Sequence, residues 1–366
     1  MIERIAKRIG EGMTSTPATL EEVARAADIQ IMWCQQNGAP FTAQVLQAIR
    51  ENLTSGGTLA GLMTPWPGNP LADALLLRAT GALHFMVRTG KAPGLAAYYP
   101  GHGERLWDAA AAGRAIEDAV VAHRALVKDI LSRPPQTNET GRSAVLMPGY
   151  AEIARRTGLP LSILEIGASA GLNMLWDRFA YRYGDRFIGN AKAPVTIEAE
   201  WRGPWCHVDR LPPVVAKCGC DRDPFDVSAP GAADRLIAYV WPEQKARLAR
   251  IEAAIALAQR EKPPLEKADA GDWLERQLAA RVPNAATVVA HTIVWQYIAK
   301  ETRHRIEDLL KVTGERATTA APLAWLSLEQ YAPDQFPEVR LTLWPGGATK
   351  KIATAHPHGA WVEWLA

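Results

Sequence analysis

The densest chemical signal in the chain is the run Leu164-Glu165-Ile166-Gly167-Ala168-Ser169-Ala170-Gly171-Leu172-Asn173. An apolar strand feeding small residues and then a predicted helix lets a ligand approach the backbone without meeting a Cβ atom. Free N–H groups and the positive dipole end of that helix would face the ligand. Glu165, two residues before the first glycine, suits a ligand with a cationic amino group. Further candidates lie on either side. Arg142 and Asn138, in the polar run 135–143, offer a fork for a carboxylate, or simply cap the helix that follows. His291 closes the apolar stretch 288–291 and is the candidate base, with a hydrogen-bonded core histidine as the alternative. Glu329 stands likewise after the apolar stretch 323–328.

The glycine run resembles the first motif of class I methyltransferases, acidic-x-Gly-x-Gly-x-Gly. Gly167 and Gly171 match the outer glycines, Ser169 stands at the middle one, and Ala168 and Asn173 complete the loop. The resemblance implies S-adenosylmethionine as cofactor. In that order, Asp221 takes the place of the acid that holds ribose hydroxyls. Fifty residues separate it from Gly171, where about 20 are usual. Either residues 195–201 belong to an insertion, or Glu198 or Glu200 is the acid. Asp272 and Trp273 match the segment that meets the adenine, the indole covering a ring face, or they mark a helix start. The same Gly167-Ala168-Ser169-Ala170-Gly171 also spells the nucleophile elbow of α/β-hydrolases, with Ser169 as nucleophile and His356 or His358 as its partner. That fold needs several strands before the elbow, whereas the preceding residues here read as helical.

These residues require a scaffold. Residues 21–36, 43–53, 71–88 and 106–131 repeat apolar positions at helical spacing and are punctuated by Gly and Pro, so an all-α cap or substrate domain is expected over 1–150. From 161 the pattern changes to strands alternating with helices, the mark of an α/β domain, expected over 151–366 as a Rossmann-like sheet of the class I methyltransferase type. Strands are expected at 161–166, 214–219, 265–268, 287–291 and 323–327, with helices at 172–183, 243–259, 273–280 and 303–312. Residues 339–344, 351–355 and 360–365 form a strand-rich tail suited to a hairpin on the sheet edge.

Composition narrows the partners. Lys and Arg number 41 against 39 Asp and Glu, a formal charge of +2, which gives no field to attract nucleic acid or an anionic membrane. A small molecule is the expected partner; charge and composition leave the oligomeric state open. No run of about 18 apolar residues could span a bilayer. The charged first ten residues lack a secretory leader's apolar core, so a cytoplasmic protein is expected. Cys34, Cys206, Cys218 and Cys220 are too few for a disulfide framework. The spacings of Cys206-His207 and Cys218-Gly219-Cys220 are poor for zinc, and no metal is expected.

Taken together, 136–142, 164–173, 200–203, 219–221, 241–244 and 325–327 resemble, over nearly the full length, an uncharacterised bacterial family, domain of unknown function 2332. The resemblance carries no activity. The expected function, an S-adenosylmethionine-dependent methyltransferase acting on a small molecule, comes from the likeness to that superfamily. A serine hydrolase, a dinucleotide-dependent oxidoreductase and a non-catalytic nucleotide-type binding protein stand as alternatives.

Overall fold

The computed structural model describes residues 17–332 and 335–366; the expectation drawn from the first ten residues lies outside them. Within the described residues the chain is a mixed α/β protein with an N-terminal helical region and a large, mostly parallel sheet. It divides into two compact units. One comprises the chain up to Thr137 together with Ala229–Ala249, the other Asn138–Ser228 with Arg250–Ala366. The boundary expected near 150 thus falls at 137/138, because the helix that follows it packs on the sheet, and the helical unit takes back a later segment.

In the helical unit, α1 (Leu20–Gln36) opens with a capping box in which Thr19 and Glu22 satisfy each other's backbone N–H. Helix α2 (Pro40–Thr54) begins on a proline, which sacrifices no helical hydrogen bond there. After the single turn α3 (Ala60–Met63), α4 (Leu75–Arg88) starts four residues later than expected, at the left-handed Ala74. The turn α5 (Pro93–Ala96) leads to α6 (Ala109–Ala122) and α7 (Arg124–Leu131). These replace the single helix expected over 106–131, since the backbone breaks at His123, whose ring bonds the Lys91 carbonyl. Leu46, Ile49, Leu53, Leu75, Leu83, Met86, Ile116 and Val120 form the core of this unit. Each such side chain taken fully from water contributes about 1.5–3 kcal/mol.

The sheet unit begins with α8 (Ser143–Thr157). Its strands in chain order are β1 (Leu161–Ile166), β2 (Ala180–Tyr183), β3 (Arg186–Ile188), β4 (Thr196–Glu198), β5 (Glu200–Arg202), β6 (Val214–Asp221), β7 (Leu265–Lys267), β8 (Ala286–Thr292), β9 (Leu323–Glu329), β10 (Glu338–Trp344), β11 (Thr349–Ala355) and β12 (Trp361–Trp364). They pair in the order β5-β12-β11-β10-β9-β8-β1-β6-β7, with β2, β3 and β4 in a separate three-stranded sheet. β7, β6, β1, β8 and β9 are mutually parallel, and β10, β11 and β12 continue antiparallel as the strand-rich tail. The edge is not a hairpin end, however, because β5 from the middle of the chain pairs beyond β12. Chain order reverses at β1: the next sheet strand inward, β6, lies on one side, and β8 on the other.

The remaining helices are α9 (Ala232–Ile237), α10 (Lys245–Glu261), α11 (Ala270–Ala279) and α12 (Lys300–Glu315). Alternation along the strands fixes which side chains meet which layer. Leu164, Ile166, Val289 and Leu323 point to the face packed by Trp273, Leu274, Ile306 and Leu310 of α11 and α12. The opposite face of β9 meets α8, where a Cβ on Gly149 would lie 2.7 Å from Leu326, so the helix approaches closely only through a glycine. The helix expected at 172–183 is absent: a 3-10 turn over Asn173–Arg178 runs straight into β2. Without that helix, no free N-terminus stands behind the glycine loop.

Candidate functional site

The carboxyl ends of β1 and β8 meet where chain order reverses, the place at which open α/β sheets bind ligands. Glu165 is in register with Gly219 on β6 and Ala290 on β8, and alternation turns its side chain to the α8 face. There α8 presents Ser143, Leu146 and Tyr150, spaced three and four apart on one stripe. The 3-10 turn adds Asn173 and Trp176. With the strand ends His291 and Thr292 these line a small pocket with room for about one water.

Three polar groups in this pocket's lining have no partner. Glu165 is 5 % exposed, and its carboxyl accepts no hydrogen bond. Burial, with the Asp221 carboxylate adding to it, pushes its pKa up to about 8. The indole N–H of Trp176 is buried and unpaired. Tyr150, 2 % exposed, stacks on Trp176 with ring centroids 4.4 Å apart and planes 17° from parallel, and its hydroxyl likewise bonds nothing. Burial, with Glu165 beside it, raises the Tyr150 phenol well above its ordinary range. Ser143 and Asn173 are committed to each other, the hydroxyl donating to Asn173 Oδ1 at 2.7 Å, while the Asn173 amide donates to the Glu139 carbonyl at 3.2 Å. A buried acid, two aromatic faces and an unpaired indole N–H can hold a compact cation by charge and by the rings' quadrupoles.

The glycine loop is a structural clamp rather than an open cradle. Gly167, Ser169 and Gly171 all have positive φ, at 68°, 54° and 72°, and a Cβ on Gly167 would lie 2.4 Å from Val294. The expected free N–H groups are spent. Ala168 donates to the Cys220 carbonyl, Ser169 to Asp221 Oδ2, Gly171 to the Ala168 carbonyl, and Ala170 and Leu172 both to Asn138 Oδ1. Two expected roles change accordingly. Asn138 pins the loop instead of holding a substrate carboxylate, and Asp221 accepts the N–H groups of Ser169 and Asp223 instead of waiting for a ribose. Arg142 donates to the Pro357 carbonyl at 3.0 Å and is a tether as well.

The other expected positions are corrected too. Trp273 is 1 % exposed in the core between sheet and helices. Asp272 is exposed and ion-paired with Arg305, and the helix cap is Asp269, which accepts the N–H groups of Gly271 and Asp272. Glu198 sits in the three-stranded sheet beside Arg182, and Glu200 on the far edge of the main sheet beside Arg202, so neither replaces Asp221 as a ribose acid.

His291 lies on β8 two residues beyond Val289, which places its ring on the α11/α12 face, opposite to Glu165. The Trp325 indole N–H can only donate, so the Nε2 atom 2.9 Å away accepts. Nδ1 therefore carries the hydrogen that goes to Glu329 at 2.7 Å. Trp295 stacks on the ring at 4.8 Å. Glu329 Oε1 also accepts the N–H groups of Val294 and Trp295. Both nitrogens of His291 are engaged in the core, and Glu329 anchors the ring and the following turn. Ser169 Oγ is buried without any partner, so no histidine stands within reach to activate it, and His356 instead accepts the His358 backbone N–H. Sequence reasoning missed Tyr150 and Trp176. Their i, i+3 and i+7 relations to Ser143 and Asn173 were visible, but which stripe faces Glu165 was not.

Among the described residues, no three His, Cys, Asp or Glu side chains gather in a way that could hold a metal ion, the cysteines are free, and no helix is long and apolar enough to cross a membrane. No curated protein and no solved structure matches the chain. The model of one family does, over residues 24–364, and the chain belongs to it: uncharacterized protein conserved in bacteria (DUF2332).

Proposed function

We propose that this family member is a methyltransferase that draws on S-adenosylmethionine and acts on a small molecule, with Glu165 as the contact for the cofactor's cationic end. One observation carries the proposal: an acid buried to 5 % exposure, bonded to nothing, at the carboxyl end of the central strand where chain order reverses, immediately before a glycine loop. Burying a carboxyl without a partner costs on the order of 1–3 kcal/mol by mutational measures. An arriving ammonium or sulfonium group offsets that cost. The order β7-β6-β1-β8-β9, followed by an antiparallel β10, supports a Rossmann-like sheet of the methyltransferase kind.

The residues fit the charged end of such a cofactor. Glu165 gives up its proton to become the counter-charge, the Tyr150 and Trp176 rings supply aromatic faces, and Leu146 keeps water away. Asp221, Asp272 and Trp273, committed elsewhere, are given no part in holding the nucleoside. When bound, the cofactor supplies a methyl group already activated on sulfur, so the protein needs alignment more than acid–base chemistry.

The test is titration calorimetry with S-adenosylmethionine and S-adenosylhomocysteine on the wild-type chain and on Glu165→Gln. Binding that weakens at least tenfold in the folded variant supports the assignment. Undiminished binding in the variant, or none to the wild type at millimolar ligand, removes it. In the latter case a panel of simple ammonium compounds shows whether the pocket takes cations without methyl transfer.

A further inference from the structure

The pocket beside Glu165 has room for about one water, so a larger ligand reaches the carboxyl only if a wall gives way. Most of the lining is fixed. Glu165, His291 and Thr292 belong to two central strands, Leu146 and Tyr150 to the body of α8, and the Trp176 carbonyl is held by the Tyr181 hydroxyl at 2.7 Å. The exception is the pair Ser143 and Asn173, where the start of α8 meets the turn that follows the glycine loop.

Those two segments are joined through side chains. Ser143 Oγ donates to Asn173 Oδ1 at 2.7 Å, and the Asn173 amide donates to the Glu139 carbonyl at 3.2 Å. Asn138 Oδ1 accepts the N–H groups of Ala170 and Leu172 at 3.2 and 3.0 Å. Among the described residues, no backbone-to-backbone hydrogen bond joins 138–143 to 168–173. The seam can therefore part by rotation of a few side chains, with no helix or strand unwound. Meanwhile the ion pair of Glu139 with Arg250, and the bond from Arg142 to the Pro357 carbonyl, keep the outer segment tethered. The backbone favours parting too: Asn138 has φ 33°, a left-handed conformation that is strained for a residue other than glycine.

We propose that Asn138, Ser143 and Asn173 form a gate on the Glu165 pocket, latched by these side-chain hydrogen bonds and opened to admit a ligand. Asn138 holds the N–H of Leu172, and the next side chain, Asn173, closes on Ser143, so the bonds form one chain and release together. The role in ligand entry rests on the reading of the pocket as a binding site, whereas the parting of the seam does not.

Hydrogen exchange of the ligand-free full chain tests the seam, and calorimetry with S-adenosylhomocysteine tests its role in entry. In wild type the Ala170 and Leu172 amides exchange through a local opening, faster than those of β1 and β8. Ser143→Ala touches neither N–H group, yet a seam that parts as one unit makes both exchange about fivefold faster, the worth of one lost hydrogen bond, with β1 and β8 unchanged. Asn138→Gly adopts φ 33° freely and removes the latch, so a larger fraction of molecules stands open and S-adenosylhomocysteine binds about fivefold more tightly. Ala170 and Leu172 amides that exchange only as slowly as the strands, or that ignore Ser143→Ala, overturn the gate. Binding unchanged or weakened by Asn138→Gly overturns it as well, since the asparagine then supports the loop and does not shut it. If neither protein binds at millimolar ligand, the methyltransferase reading falls and the exchange rates alone decide whether the seam parts.

Discussion

Glu165→Gln should change how stability depends on pH, and by an amount the site sets. In the folded protein the Glu165 carboxyl keeps its proton up to about pH 8, whereas an unburied glutamate releases it near 4.5. Between those values the folded state binds one proton more than the unfolded chain, so raising the pH favours unfolding. The slope is that of one proton per molecule, and from pH 5 to pH 8 the wild type loses on the order of a few kcal/mol that a non-titrating glutamine does not lose. Because the chain has two units, the readout should belong to the sheet unit alone: urea-dependent hydrogen exchange of the β1 and β8 peptides at both pH values. Taking the difference between variant and wild type at each pH, and then between the two pH values, cancels whatever the substitution does to packing. Variant and wild type running parallel from pH 5 to pH 8 would show that Glu165 is not held protonated, and would refute the account of its burial.

If a cation enters the Glu165 pocket, binding at pH 7 releases close to one proton, seen as a dependence of the calorimetric heat on buffer ionisation enthalpy; heat independent of buffer contradicts the ion pair. Gly167→Ala combines a φ of 68° with a Cβ 2.4 Å from Val294, and should cost about 2 kcal/mol or more in the same exchange experiment. Ser169→Gly should instead stabilise by about 1 kcal/mol, since glycine adopts φ 54° freely and the unpartnered hydroxyl is lost. The wild-type protein should remain unlabelled at Ser169 by a fluorophosphonate, and rapid labelling there would restore the hydrolase alternative.

The strands were legible because their signals are local. The apolar Leu161–Ile166, Ala286–Thr292 and Leu323–Glu329 declare themselves as buried strands from composition and length alone, and the sheet class follows from their spacing. Glu165 was legible for the same reason, as an acid inside an apolar run. What failed was the destination of hydrogen bonds. Nothing near Asn138 says that its amide oxygen will meet the N–H groups of Ala170 and Leu172, 32 and 34 residues away, and Asp221 was diverted by the same loop. The loop consumes these acceptors because no helix follows it: Leu172 and Asn173 begin a pattern that satisfies helical periodicity, yet Phe179, Tyr181 and Tyr183 find better burial on the small sheet, and tertiary packing overrides propensity. His291 was correctly placed at the strand end, but which face its ring takes depends on register, which one residue's shift inverts.

The outermost strand has a consequence for how the protein is made. β5 can pair only with β12, whose residues follow about 160 positions later. At roughly 5–20 residues per second, a ribosome needs about 10–30 s to supply that partner. During this interval β5 and the excursion carrying it emerge with no edge to join, and β10, β11 and β12 must be added in turn before it can dock. Closure of the sheet is therefore a late event of synthesis. A nascent chain stalled before Trp361 would carry an unpaired Glu200–Arg202 strand, exposed to whatever chaperone or neighbouring chain meets it first.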